Sequence, residues 1–146
     1  MPPIKDDFTW TRDNVSLLRA LGSDCLQIEP DVVNNFEHWS ILKLSALKNY
    51  VDIYTRIMND KRLNRLKFSG RTYLDIFAGS GVNRIGVTGT PIAGSSPIAA
   101  RFHCKDHPFS HFVAVEKDQR YAKALQLRME RLVGEDRVTV IAKDAN

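Results

Sequence analysis

Residues Thr72 to Gly81, Thr-Tyr-Leu-Asp-Ile-Phe-Ala-Gly-Ser-Gly, constrain the fold more than any other stretch. Thr72 to Phe77 is β-branched, aromatic and aliphatic, with Gly70 before it and Gly79 after it, which predicts a short buried strand. Gly79 and Gly81 free the backbone to turn sharply and let a ligand come closer than a Cβ would permit. Asp75 falls near the carboxyl end of the strand, where open α/β sheets place their ligands. The stretch therefore predicts a nucleotide-type binding loop; the competing reading is a strand and turn that use glycine for geometry alone.

The residues around the glycines narrow the ligand. A phosphate-cradling loop needs a lysine after its second glycine, and Val82 stands there. A dinucleotide loop needs a small residue three places on, and Arg84 stands there. A carboxylate inside the strand would repel a pyrophosphate and suits a ligand with a positive end. S-adenosylmethionine carries an ammonium and a sulfonium. Asp75-Ile76-Phe77-Ala78-Gly79-Ser80-Gly81 resembles the first motif of Rossmann-like S-adenosylmethionine-dependent methyltransferases, especially those acting on nucleic acid. That resemblance implies that Asp75, Phe77, Ala78, Gly79, Ser80 and Gly81 hold the cofactor.

Length and composition set the frame. A chain of 146 residues fits one domain with a single core. Hydrophobic and charged fractions of 43% and 26% are those of a soluble globular protein. No run approaches the roughly 18 apolar residues of a membrane span, and Met1 to Asp7 lacks the pattern of a signal peptide. Cys25 and Cys104 form no CxxC pair, so a reducing, cytoplasmic compartment is expected. The net charge of +4 permits an anionic partner without requiring one. Lys61, Arg62, Arg65, Lys67 and Arg71 fall within eleven residues free of acids. Such a run can contact phosphates, although a solvated helix end and linker is the preferred reading.

Residues 1–12 read as an extended arm. Asp13 or Asn14 is expected to cap a short helix through Val15, Leu17, Leu18 and Leu21, with Gly22 as its stop. Residues 23–35 read as a loop, with Cys25 a small buried residue and not a nucleophile. Residues 37–59 predict a long helix with a stripe of Ile41, Leu44, Leu47, Val51, Tyr54 and Met58. Leu42, Tyr50 and Ile57 are expected to widen that stripe. Residues 82–95 hold Gly86, Gly89, Pro91 and Gly94 and read as an irregular loop, either a lid or a plain surface insertion. A helix then starts with Ser96 as cap and Pro97 in first position.

His103, Cys104, His107 and His111 recur at short intervals, but Pro108 breaks any helix aligning them, so a loop is expected and no metal site. Residues 109–115 predict a second strand ending at Glu116, where Rossmann-like folds place an acid that accepts from both ribose hydroxyls. Glu116 lies 35 residues after Gly81, beyond the usual gap of about 20. The glycine-rich insertion accounts for the excess. Asp118 caps a helix over 119–133 that Gly134 closes, with Tyr121, Ala122, Leu125, Met129, Leu132 and Val133 on one face. Arg120, Lys123, Arg128 and Arg131 are expected on its solvated face. Residues 137–142 predict a third strand leading to Asp144, where methyltransferases of this type place an acceptor for the adenine amine.

The resemblance extends further. The glycine motif, Gly94-Ser95-Ser96-Pro97-Ile98-Ala99, Phe112-Val113-Ala114-Val115-Glu116-Lys117-Asp118, and His38-Trp39 with Lys43 upstream are similar to the three-Cys-motif partner protein family. It covers about residues 36–144, with one serine more than the family's Gly-Ser-Pro. It implies an α/β fold: a Rossmann-like, partial doubly wound sheet of order 3-2-1, with an N-terminal helical extension over 1–35 and the cofactor-binding half-domain over 36–146. Its first strand would lie at an edge and favour self-association. The resemblance further implies S-adenosylmethionine as cofactor, with Glu116, Lys117 and Asp144 joining the glycine motif, and a three-Cys-motif protein as partner. His38 or Lys43 would approach the site by the same analogy. Related methyltransferases carry an Asp-Pro motif after a fourth strand, and this sequence has no Asp-Pro. A fragment carrying the cofactor half of a methyltransferase is therefore expected, with nucleic acid as a candidate acceptor. The alternative is a non-catalytic partner module.

Overall fold

Among the described residues the fold is mixed α/β, with two three-stranded sheets and four α-helices. The computed structural model describes residues 7–58, 70–86, 89–106 and 108–145. Lys61, Arg62, Arg65, Lys67 and His107 lie outside the described residues, as does the expected end of the second helix at Asn59-Asp60.

Helix α1 spans Asp7–Leu26, so residues 7–12 are helical and not an extended arm. Asn14, Leu18, Leu21 and Cys25 recur at steps of three and four and are all buried. Gly22 does not stop this helix. A Cβ there would lie 2.7 Å from the backbone of Ile92 and Ala93. The glycine lets the helix rest directly on strand β4, Pro91–Ala93, and that packing outweighs its local preference to end a helix.

Helix α2, Ser40–Ile57, starts three residues later than expected. Leu44 and Val51 face inward, but Leu42, Tyr50 and Ile57 are exposed and do not widen the buried stripe. Ser45 and Thr55 are buried in their place. The Thr55 hydroxyl donates to Val51 O at 2.8 Å and accepts from Cys104 N–H at 2.8 Å, so the polar group is met inside the helix packing.

The glycine-rich stretch after Gly81 is not an irregular loop. Val82–Ile85 (β3) pairs antiparallel with β4 and parallel with Asn34–Phe36 (β1), giving the order β1-β3-β4. Gly86, at φ +66°, takes the left-handed conformation where the chain leaves β3, and only Pro91, of the interrupting residues, lies within a strand. Its buried Val82 and Ile92 meet Leu18, Leu21 and Ile98 in one core cluster.

The second sheet holds Thr72–Asp75 (β2), His111–Val115 (β5) and Val138–Ile141 (β6) in the order β2-β5-β6, all parallel. Helix α3, Ser95–Phe102, and helix α4, Gln119–Val133, lie against one face of it. Phe112, Ala114, Val138, Leu125 and Met129 form the core between them. Each such fully buried large side chain contributes roughly 1.5–3 kcal/mol. The alternate residues Leu74, Thr139 and Ile141 are exposed, as the two-residue period of a strand requires. Strand β2 lies at an edge.

Helix α4 begins and ends as its sequence requires. The Asp118 carboxylate accepts from Arg120 and Tyr121 N–H at 2.8 and 3.1 Å, and Gly134 at φ +94° donates back to Glu130 O at 2.8 Å. Helix α3 departs from expectation: Gly94 is its cap, Ser95 its first residue and Pro97 its third. Pro97 is tolerated there because the first-turn N–H groups have no intrahelical partner.

Candidate functional site

Strand β2 stops at Asp75, and Ile76 and Phe77 already belong to the turn. The Asp75 carboxylate explains the early start of α3. It accepts from both the Ser95 and Ser96 hydroxyls, the latter at 2.8 Å, and at 3.4 Å from Phe77 N–H. One acid thus joins the end of β2 to the first turn of α3.

Gly79 and Gly81 have φ of +62° and +83°, a left-handed conformation that makes the sharp turn expected of them. Space is equally restrictive at Gly81, where a Cβ would lie 2.8 Å from Leu125 Cδ1 and 3.2 Å from Pro97 Cγ. Between them Ser80 is wholly buried and turned toward the protein. Its N–H donates to Asn34 Oδ1 at 2.7 Å, and its hydroxyl donates to Val82 O at 3.0 Å.

Behind this turn stands Arg128 of α4. It is 1% exposed, a reversal of its expected place on the solvated face. Its Nη1 donates to Ser80 O at 2.7 Å, Nη2 to the carbonyls of Ile28, Glu29 and Val32 at 2.9 Å each, and Nε to Cys25 and Ile28 at 3.1 Å. The guanidinium therefore ties the end of α1 and the chain after it to the glycine turn. Burial lowers its pKa from the ordinary value, but an arginine at such a site remains charged. The periodic signal for it was present: position 128 continues the spacing of Ala124, Leu125 and Met129. Nearby, burial pushes the Cys25 thiol up to about 11, so it is an inert core residue, as expected.

Glu116 follows β5 and faces the front of the turn. Its Oε2 accepts from Gly79 N–H and its Oε1 from Asp118 N–H, each at 2.9 Å. A carboxylate has about four acceptor sites, so two stay available to hydroxyls. Two clefts meet at this acid. One of about 160 Å³ is lined by Phe36, Phe77, Gly79, Asn83, Ser95 and Glu116, with Ala78 beside them. The other, of about 130 Å³, is lined by Ile76, Phe77, Glu116, Lys117, Lys143 and Asp144. Phe77, 73% exposed, borders both.

Of the residues singled out in the sequence, Phe77, Ala78, Gly79, Glu116, Lys117 and Asp144 come together around these clefts. Asp75, Ser80 and Gly81 stand behind as supports and line neither. His38 and Lys43 line neither cleft, and Lys43 Nζ lies 3.9 Å from the Trp39 ring centre. Asn34, Phe36 and Asn83 were missed because they come from β1 and β3, strands whose pairing is not written in local sequence.

A larger apolar cavity of about 340 Å³ lies between α2 and β2, lined by Leu47, Tyr50, Tyr54, Tyr73 and Leu74, away from the acids. Among the described residues no three His, Cys, Asp or Glu side chains gather as a metal site. His103 instead stacks on Phe112, and His111 Nε2 lies 2.9 Å from Thr139 Oγ1. No helix among the described residues is long and apolar enough to cross a membrane. The chain matches no protein-family model and no curated protein.

Proposed function

We propose that this chain is the S-adenosylmethionine-binding part of a methyltransferase of the three-Cys-motif partner type, built on a Rossmann-like half-sheet and working in the cytoplasm. The observation that carries the reading is the meeting of two clefts at Glu116, directly in front of the glycine turn. The parallel order β2-β5-β6, with the motif strand at its edge, supports the Rossmann-like reading.

Glu116 would accept from the ribose hydroxyls with its remaining acceptor sites, and Asp144, across the smaller cleft, from the adenine amine. Phe77 would cover the nucleoside and exclude water from it. The bound cofactor supplies an electrophilic methyl on a sulfonium, and transfer depends largely on proximity and in-line alignment. Glu116 suits the positive end, while Asp75 lies behind the cleft and holds Ser95 and Ser96 in place. The catalytic proton acceptor is left unassigned.

An anionic acceptor such as nucleic acid is supported by a groove of about 500 Å³ at the end of α3, where Lys48, Arg56, Arg101 and Lys105 outnumber Asp52 and Asp106. Arg56 is held there by Asp52 at 2.8 Å. A second reading, a protein-interaction module engaging a three-Cys-motif protein or another copy of itself, is favoured by the exposed Leu74 and Ile76 beside an open strand edge.

Calorimetric titration with S-adenosylmethionine, with NAD as comparison, separates the readings. The expected result is binding of S-adenosylmethionine alone. A folded chain that binds neither would overturn the cofactor reading and leave the interaction module, which light scattering with and without partner would then test.

A further inference from the structure

Four cations gather where two clefts meet on the helical side of the molecule. The groove at the end of α3 shares Arg101 with a cleft of about 210 Å³ between α1, α3 and α4. Together the two spaces carry Lys48, Arg101, Lys105 and Arg131, none of which makes a salt bridge among the described residues. Asp24 and Asp106 stand against them, and Asp52 is committed to Arg56 at 2.8 Å. Burial lowers the pKa of Lys48, whose ammonium lies 5.0 Å from the Phe102 ring centre. Helix-end electrostatics accounts for Arg101 and Arg131, each in the last turn of its helix. It does not account for Lys48, in the middle of α2, or for Lys105, beyond the end of α3. Nor does the end of α1 need them, because Arg128 already meets the carbonyls of Cys25 and Ile28.

Topology places these cations away from the acids. Helix α4 carries the chain from the carboxyl end of β5 back to the amino end of the parallel β6, and the chain leaving α3 enters β5 at its amino end. Arg101 and Arg131 therefore lie toward the amino ends of the strands, whereas Glu116 and Asp144 follow their carboxyl ends. The five residues of β5, roughly 15 Å, separate the two ends. An anion held by these cations is thus not the group that a cofactor at Glu116 would act on.

We propose that the two clefts form one track for the phosphate backbone of a nucleic-acid strand, an anchoring site separate from the place of methyl transfer. Charge complementarity selects a polyanion, since the cations run through two joined spaces instead of closing on one point. Arg101 and Arg131 present planar forks that match phosphate oxygens. Phe102 and His103 stand among the cations of the groove, the mixture of rings and charge that suits bases together with their phosphates. The inference rests on the nucleic-acid reading of that groove given above and does not depend on the cofactor.

The test is fluorescence anisotropy of the whole chain with a labelled oligouridylate, in the absence of cofactor. Binding is expected, with a logarithmic salt slope of about −3, the value for four cations on a single strand. Arg101→Gln should weaken binding about fivefold at roughly 0.1 M salt and flatten the slope by about 0.7. Lys105→Gln should do the same. Arg120→Gln, in the first turn of α4, removes the same charge at the opposite end and should leave affinity and slope nearly unchanged. All three side chains are exposed, so the variants should fold. Equal weakening by Arg120→Gln overturns the inference, since net charge alone would then explain binding. Displacement by inorganic phosphate at constant ionic strength also overturns it, as the mark of a site for a single phosphate. Displacement by polyglutamate does so too, as the mark of a site for an acidic protein segment. Failure of the oligonucleotide to bind removes the track, and a chain that still binds S-adenosylmethionine would keep the cofactor reading.

Discussion

Arg128 and Asn83 are both almost wholly buried, one bonded to the glycine turn at Ser80 and the other lining the cleft beside Gly79, and they treat their polar atoms in opposite ways. Arg128 gives six hydrogen bonds to five carbonyls from two distant parts of the chain, Cys25 to Val32 and Ser80. Asn83 leaves its Nδ2 without a partner among the described residues. The back of the turn is thus saturated and the front is not. A ligand loop needs both: a support that fixes the backbone, and groups that gain a partner only when something binds.

Removing the support is the strongest way to break this contrast. Arg128→Leu strands buried carbonyls and should cost about 3–5 kcal/mol of folding free energy. Arg128→Lys should recover only part of this, because one ammonium has three donors for five carbonyls. Urea unfolding measures both, and a loss below about 1 kcal/mol in the leucine variant would show that the guanidinium is not the support described. Next in size is the front of the turn. Glu116→Ala should weaken S-adenosylmethionine binding by about one to two powers of ten, and unchanged affinity would remove Glu116 from the site.

Gly81→Ala tests the turn itself. It adds a Cβ at φ +83° against Leu125, so a loss of about 1–3 kcal/mol in stability is expected, less if the leucine tip yields. A neutral alanine there would mean that the turn tolerates another conformation. The smallest expected effect lies far from the cleft. Burial, and secondarily Arg137, holds His103 below its ordinary pKa. The unfolded chain therefore takes up the proton first, and the associated stability is full above about pH 6.5 and falls as pH drops through that value. Thermal scans from pH 7.5 to 5 should show this slope flattened in His103→Leu. An identical slope in the variant would assign it to other groups.

These contrasts also separate what the sequence disclosed from what it hid. The Asp118 cap and the Gly134 stop are set by bonds within a few residues, and they and the sharp turn at Gly79 and Gly81 were legible in the sequence. Glu116 was legible because a strand end has a recognisable chemistry. Gly22 was misread because its reason is the backbone of Ile92 and Ala93, about seventy residues away. Arg128 was assigned to solvent by charge, although its helical position matched the buried stripe; charge lost to a ring of carbonyls. Strands β1, β3 and β4 were missed because short strands rich in Asn, Arg and Pro gain their conformation from pairing and not from propensity.

The Arg128 web also bears on the order in which the molecule assembles. Its partners lie 48 to 103 positions away along the chain, so it can close only after most of the loop entropy of folding has been lost. The contacts that shape the glycine turn therefore belong late on the folding route. A change at Arg128 should leave the folding rate nearly untouched and accelerate unfolding instead. The support behind the turn would then act chiefly as a brake on the exit from the native state, and the lifetime of the shaped loop would be a kinetic property set at its back.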